Sequence, residues 1–417
     1  MRSQEKALGR SHYPVCILGA GPSGCSASLH LTQNGVHHLL IDKSTFPRDK
    51  ICGDALSGKV VYALNRVAPG LSAKLASIST EFLPSWGISF YAPNGKALQV
   101  PFKQNPSPEQ MAPGFIATRM DFDAFLVKSA ASAYADLVLG TDAHIRIHED
   151  RIEITMPDGK VVTADMLIDA SGAHSRIARE YGIEVDKNHH CAGLRQYWQG
   201  VEGLHPNGFI ELHFIKDVLP GYFWIFPMTN NRVNVGIGML SSKVSDKKVN
   251  LKNELARIIE THPEISKRFK SAEPLESPKG WGLPLGSKRR QISFNRLILT
   301  GDAASLIDPF TGEGIGNGMI SGYYAAEMAV DATQQERYDA DFLSKYDEHV
   351  YHHLGPELAM SHKLQQMVNY PWLFNFVVNK GQKSKEFRTT LTAMFENVDL
   401  RTRFRDPRFY LKLLFNK

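Results

Sequence analysis

Gly19, Gly21 and Gly24 stand at GxGxxG spacing directly after an apolar run ending at Leu18, and Asp42 follows 18 residues after the last of them. Residues of these types at this spacing handle a pyrophosphate and a ribose. The first glycine permits a tight turn, the second lets backbone approach the phosphates, and the third lets a helix pack close on a strand. Pro22 and Ser23 stand within the motif, and Ser26 to Leu31 are compatible with that helix, whose N-terminus offers unpaired N–H groups and positive partial charge to an anion. Asp42, with Lys43 beside it, is placed to accept hydrogen bonds from ribose hydroxyls. With a strand before, a helix after and an acid at the next strand end, residues 15–44 predict a dinucleotide site rather than a plain strand-turn-helix.

A second glycine-rich stretch lies near the other end. Leu297 to Leu299 read as a buried strand, and Gly301 and Asp302 follow at its carboxyl end. Open α/β sheets bind their ligands at that end of a strand. Gly312, Gly314, Gly316 and Gly318 then lead into a helix expected from about Asn317. Backbone N–H groups at such a start stabilise negative charge on a reduced isoalloxazine. Asp302 is the candidate partner for a ribityl or pyrophosphate hydroxyl. The two stretches together predict a flavin dinucleotide.

These residues need elements to hold them. Val15 to Leu18 and His37 to Ile41 read as strands flanking a helix that ends near Gly35. Residues 116–136 look helical, and 137–170 alternate like a β-meander around Pro157-Asp158-Gly159. From 187 to 285 the pattern is antiparallel, with turn signals at Pro220-Gly221 and Thr229-Asn230-Asn231. There, period two puts Tyr222, Trp224 and Phe226 on one face of a strand, and Val233, Val235 and Ile237 alternate along the returning one. The expected fold is α/β: a Rossmann-like FAD-binding domain in three parts (1–84, 116–186, 286–345), an inserted antiparallel-sheet substrate domain in two (85–115, 187–285), and a C-terminal helical region (346–417).

The bulk numbers exclude several classes. The 417 residues suffice for two or three domains and a large core. A net charge of +5 is too small for a nucleic-acid binder, and six basic residues against one acid in 401–417 account for all of it. The polar N-terminus has no signal-peptide core, and the longest apolar run, Tyr370 to Val378, is too short to span a membrane. The four cysteines form no CxxC, which points to a reducing cytoplasm. The sixteen histidines show no metal spacing; His37-His38 and His189-His190 read as surface or core pairs.

Beyond the first motif, FPRDKICGDALSG (46–58), TRMDFDAFL (118–126), YFWIFP (222–227) and GDAASLIDPFTGEGIGNG (301–318) resemble the geranylgeranyl reductase family of FAD-dependent oxidoreductases. That family lies within the para-hydroxybenzoate-hydroxylase-like flavoproteins, and the resemblance runs over roughly residues 13–335. It implies FAD, an FAD contact at Arg119, and Cys52 in a Cys-Gly pair near the flavin, as a redox or gating residue or a buried inert thiol. No residue context argues for a covalent flavin linkage, so non-covalent FAD is expected. Asp54 and Ala55 stand where the family often continues with glycines. In LIDASGAHSRIAR (167–179) Ser171 replaces the Asp of the group's third motif, with Asp169 two residues earlier. That motif is associated with FAD and pyridine nucleotide, so the electron donor stays open between NAD(P)H and a ferredoxin-type protein.

The implied reaction is hydride transfer to an isolated C=C bond of an isoprenoid or similar lipid. Tyr222 and Trp224 are candidates for the apolar wall beside the flavin, and Tyr222 is one candidate proton donor. The runner-up is a halogenase or monooxygenase acting on an apolar or aromatic substrate. Halogenases carry Gly-Trp-x-Trp-x-Ile-Pro at the position of Gly221 to Pro227, where this chain has Tyr222 and Phe226. A third reading is a flavin-bound electron carrier. For a membrane-borne substrate, the basic and apolar tail 401–417 offers a short peripheral anchor at the inner face.

Overall fold

The computed structural model describes residues 9–107, 109–384 and 388–389. The tail at 401–417, and with it the expected surface anchor, lies outside the described residues. Apolar runs with little polar interruption make strands buried on both faces, which suits a parallel sheet. His12–Leu18 lies between Val161–Asp169 and His38–Asp42 and is parallel to both. Leu297–Leu299 extends the sheet on one side and Ala135–Leu139 on the other, again in parallel. Pro22–Gln33 is the crossover helix, with its proline at the first position, where the missing N–H costs nothing. It packs on the 21-residue helix Ile315–Gln335.

Two local expectations shift. The helix expected over 116–136 is Arg119–Ala130, started by the Thr118 hydroxyl accepting from Asp121 N–H. The chain then turns extended, and Ala135–Leu139 becomes the parallel edge strand rather than the opening of a meander. Its partly buried side chains explain why neither pattern was clear. The antiparallel meander is His144–Ile147, Ile152–Thr155 and Val161–Asp169, the last strand serving the parallel sheet as well.

A second sheet has the order Glu273–Pro274, His190–Gln199, Arg232–Leu240, Gly221–Pro227, Ile210–His213, Gly87–Tyr91, Ala97–Pro101. Lys279–Pro284 also pairs with His190–Gln199. Neighbours are antiparallel except Ile210–His213 and Gly87–Tyr91. Gly114–Ile116 instead joins Ala55–Leu56 and Leu83–Ser85 in a small third sheet.

Alternation gives the second sheet two apolar faces. Phe223, Ile225, Val233, Val235 and Ile237 pack against Leu255 and Ile258 of the helix Leu251–Thr261. Each such burial contributes about 1.5–3 kcal/mol. Trp224 and Phe226 face the other way, in a cluster with Leu212, Phe214, Val368 and Val378. Those last two residues belong to the C-terminal part, where Ala340–Met367 and Pro371–Lys383 are helices. The longer one is tied down by Tyr346 Oη to the Leu299 carbonyl at 2.8 Å and Gln365 Nε2 to the Pro309 carbonyl at 2.8 Å. No helix among the described residues is long and apolar enough to cross a membrane.

Candidate active site

A cavity of about 1420 Å³ is bordered by both glycine-rich stretches, by the aromatic strand Gly221–Pro227 and by the C-terminal helices. Pockets for one small ligand run to roughly 300–1,000 Å³. This one has room for a dinucleotide and a further chain.

The three glycines of the first motif answer to different constraints. Gly19 has φ +107°, and a Cβ there would lie 2.4 Å from the Ala170 carbonyl oxygen. A Cβ on Gly24 would lie 1.8 Å from the Gly19 carbonyl oxygen. Both positions are forced by backbone meeting backbone. Gly21 is different: the nearest atom to its missing Cβ is Arg48 Nη2 at 3.8 Å. The space it leaves opens on the cavity. Gly21 is also the N-cap of the helix Pro22–Gln33, and no side chain caps that end. Ser23 borders the cavity, and its buried Oγ has no partner among the described residues.

Charge is arranged around this opening. Asp42 Oδ2 accepts from Ala20 N–H and Oδ1 from Ser44 N–H, each at 2.7 Å, so the glycine turn is tied to the strand end. A carboxylate has about four acceptor sites, which leaves Asp42 capacity toward the cavity it borders. Arg119 is buried and gives both its Nε and Nη2 to Asp123 at 2.7 Å, while Arg48 reaches the same carboxylate at 2.8 Å. Two guanidiniums on one carboxylate leave a net positive charge at the cavity wall, which suits a pyrophosphate. Asp302 borders the cavity and pairs with Lys50 at 3.3 Å. Lys43 is exposed at the strand end and does not border the cavity.

At the second stretch the helix begins at Ile315, two residues before the expected start, with Gly314 as N-cap. Gly312 and Gly314 border the cavity, whereas Gly316 packs behind it, its missing Cβ 2.9 Å from Lys59 Cβ. Lys59 is itself buried and donates to Asn317 Oδ1 at 2.6 Å and Glu357 Oε2 at 2.9 Å. The Glu313 carboxylate accepts from Gly316 N–H at 2.7 Å. Asp169, next to the altered third motif, turns inward and accepts from Ser171 N–H, Ser171 Oγ and Ser175 Oγ. It shapes the turn rather than the cavity.

The aromatic strand meets this site edge-on. Tyr222 Oη donates to the Thr311 carbonyl at 2.6 Å, and burial holds its pKa above the usual range. Trp224 Nε1 donates to Asn234 Oδ1 at 2.8 Å, and Asn234 Nδ2 donates to the Cys52 carbonyl at 2.8 Å. Cys52 is a free, partly buried thiol whose pKa burial raises. Tyr222, Trp224 and Cys52 therefore border one cavity with Gly19, Gly21, Pro22, Ser23, Asp42, Arg119 and Asp302. The residues missed in sequence are the polar ones behind the wall, namely Arg195, Tyr197 and Asn234, with the hydrogen bonds of Tyr197 and Asn234 to Asp54, and the roof from the C-terminal helices. An Asn inside the apolar alternation of 233–237 was the available signal.

The residues present fit FAD. A cradle that a Cβ at Gly21 would begin to fill, a buried Ser23 hydroxyl with no partner among the described residues and the Arg48 and Arg119 guanidiniums all suit a polyanion. The FAD binding domain family matches residues 12–350. A menaquinone reductase of Mycobacterium tuberculosis is 29% identical over 333 residues, covering 75% of this chain and 76% of that one. A digeranylgeranylglycerophospholipid reductase of Methanopyrus kandleri is 30% identical over 348 residues, covering 81% of each. Among solved structures, a geranylgeranyl bacteriochlorophyll reductase-like protein of Thermoplasma acidophilum superposes with TM-score 0.78 at 23% identity, covering 90% of this chain and 93% of that one. A flavin-dependent brominase shares the fold at TM-score 0.73 and 19% identity, covering 92% and 93%.

Proposed function

Since the chain belongs to the FAD binding domain family and, within it, to the geranylgeranyl reductase family of FAD-dependent oxidoreductases, we propose that it reduces isolated C=C bonds of an isoprenoid or similar lipid. One observation carries the reading. The cavity that begins at the glycine cradle continues between Phe214, Tyr222 and Trp224 of the sheet and Leu364, Val368 and Val377 of the C-terminal helices. A wall of that composition suits a long hydrocarbon and excludes water from it.

Bound FAD supplies the hydride that an isolated alkene needs. The chain's own residues bind, orient and keep the site dry. Gly21 and Ser23 take the pyrophosphate, Asp42 a ribose hydroxyl, and Arg48 with Arg119 the residual charge. Gly19, Gly24 and Gly316 serve by letting elements approach. Gly312, Gly314 and Asp302 border the cavity and would hold the flavin part of the cofactor. Trp224 and Tyr222 align the chain, an effect that contributes strongly where reacting atoms must meet without covalent help. NAD(P)H or a ferredoxin-type protein supplies the electrons.

Access from a membrane surface belongs to the same reading. Met367 borders the cavity, and Tyr370, Trp372 and Phe376 just beyond it are exposed. Aromatic side chains of this kind settle at a lipid interface. The test is anaerobic: dithionite-reduced holoenzyme is mixed with a polyprenyl lipid. Recovery of the oxidised flavin spectrum with a product heavier by two hydrogens supports the reductase. A product formed only with oxygen and halide would replace it with the halogenase reading.

A further inference from the structure

Asp54 follows Cys52 and Gly53 and borders the cavity. It is fully buried, and its backbone is left-handed, with φ +66°. Its Oδ2 accepts from the Tyr197 hydroxyl at 2.5 Å and from Asn234 Nδ2 at 2.9 Å. Its Oδ1 has no partner among the described residues. Arg195 lies behind, its guanidinium 3.9 Å from the Tyr197 ring centre and paired with Asp49 and Glu276. A buried carboxyl with one oxygen doubly bonded and the other bare is an unusual object. Left ionised, the bare oxygen carries charge without a donor; protonated, it holds a proton with no protein acceptor.

We propose that Asp54 is the proton donor of the reaction: the proton on its Oδ1, closed off from the cavity until substrate enters, passes to one alkene carbon while hydride reaches the other. This rests on the alkene-reductase reading above. The alkene gains a hydride from reduced flavin, which is thereby oxidised by two electrons. The π pair of the alkene forms the second new C–H bond with the Asp54 proton, and the O–H pair returns to Oδ1. The carboxylate left behind is held by the Tyr197 hydroxyl and the Asn234 amide, and it regains a proton from water before the next turnover.

The other acids at the cavity are less suited. The Tyr222 hydroxyl is engaged as a hydrogen-bond donor to the Thr311 carbonyl, and Asp302 is paired with Lys50. Burial pushes the Cys52 thiol up despite the opposing pull of Arg119, Lys50 and the Asp54 N–H. Burial raises Asp54 to about 6, against the opposing pull of Tyr197, Arg195, Asn234 and Arg119. The groups facing it are thus Tyr197 and Arg195 from one strand, Asn234 from the next, Arg119 from the helix at 119–130 and Cys52 from its own loop. An acid in that range keeps a usable protonated fraction near neutrality and gives up its proton more readily than a phenol or a buried thiol.

Asp54→Asn keeps the size, the left-handed backbone and an acceptor for Tyr197, and loses only the proton. Its holoenzyme should bind FAD and be reduced by dithionite as wild type is. Its reoxidation by polyprenyl lipid should be slower by a factor of about 100 or more. In wild type that rate should fall as pH rises above about 6, and the variant should lack this limb. Infrared difference spectra of the oxidised holoenzyme, which need no turnover, should show a carboxylic C=O band titrating in wild type and missing in the variant. Tyr197→Phe removes a donor to the anion and should move the limb to higher pH, a shift that a merely structural role would not produce. Wild-type rate and pH profile in Asp54→Asn, or an unmoved limb in Tyr197→Phe, would overturn the assignment and leave the reductase reading standing. If wild type itself is not reoxidised by the lipid, the reductase reading falls first and the donor role with it.

Discussion

The glycine cradle and the aromatic wall enclose one cavity, yet they are built on opposite terms. In the cradle backbone touches backbone: the Gly24 Cα sits so close to the Gly19 carbonyl that a single added carbon has nowhere to go. In the wall side chains crowd in beside the backbone. A Cβ on Gly236 would lie 2.1 Å from Trp224 Cζ2 as well as 2.3 Å from the Leu194 carbonyl oxygen, and one on Gly53 would meet the Phe226 ring at 3.1 Å. Backbone cannot move aside without breaking the sheet, whereas a ring can turn or be exchanged. The cradle is therefore fixed in shape, and the wall encloses a volume that substitution can retune. Four substitutions test that contrast.

Gly24→Ala should have the largest effect. Its new Cβ collides with a carbonyl rather than a flexible side chain, so the loss should reach about 3 kcal/mol or more, above the usual range for overpacking. Urea unfolding and flavin content of the purified protein measure it, and an unchanged midpoint would show that the helix and strand are not locked.

Asp54→Asn comes next, on the wall side. The buried carboxyl has its pKa raised to about 6, so the folded state binds more protons than the unfolded one between roughly 4 and 6. Its contribution to stability is complete below about 4 and is lost as pH rises through about 6. The wild-type apo-protein should therefore lose up to about 3 kcal/mol across that window relative to the variant. Denaturation at several pH values gives the difference; a gap that stays constant with pH would mean the carboxyl is not buried as a charge.

Trp224→Ala should cost about 2 kcal/mol, less than a full core truncation because one side of the ring already borders open space. FAD content should stay near wild type while lipid turnover is lost. Loss of FAD along with turnover would show that wall and cradle are one unit.

Gly21→Ala should change apo stability least, within about 0.5 kcal/mol, since no protein atom lies closer than 3.8 Å to the new carbon. FAD retention should nevertheless fall. The same residue change at positions 21 and 24 would then separate a glycine kept for a ligand from one kept for packing. Equal loss of stability at both sites would erase that distinction.

Much of the cradle was legible because its constraints are local. GxGxxG, the helix start and the acid at the next strand end fall between Gly19 and Asp42, and each acts through its own backbone or its neighbours'. The shared face of Tyr222, Trp224 and Phe226 was legible for a similar reason, since strand geometry alone sets it. The edge strand Ala135–Leu139 was obscured because half-buried residues follow neither pattern cleanly. The Asp54 network was out of reach: its partners Tyr197 and Asn234 lie 143 and 180 residues away. The C-terminal helices could be read as helices, but nothing in their pattern named the sheet face they cover.

By itself, then, the sequence determined where backbone must come close and which way strand side chains point. Both follow from steric rules acting over a few residues. Only the tertiary structure decided what the polar groups are for. Arg119 turns to Asp123 and shares it with Arg48, Asp169 faces a turn, and Asp54 becomes an acid of raised pKa with one oxygen unpartnered among the described residues. Those outcomes depend on desolvation and on donors brought from distant strands. Such electrostatics exist only once the chain has closed around them.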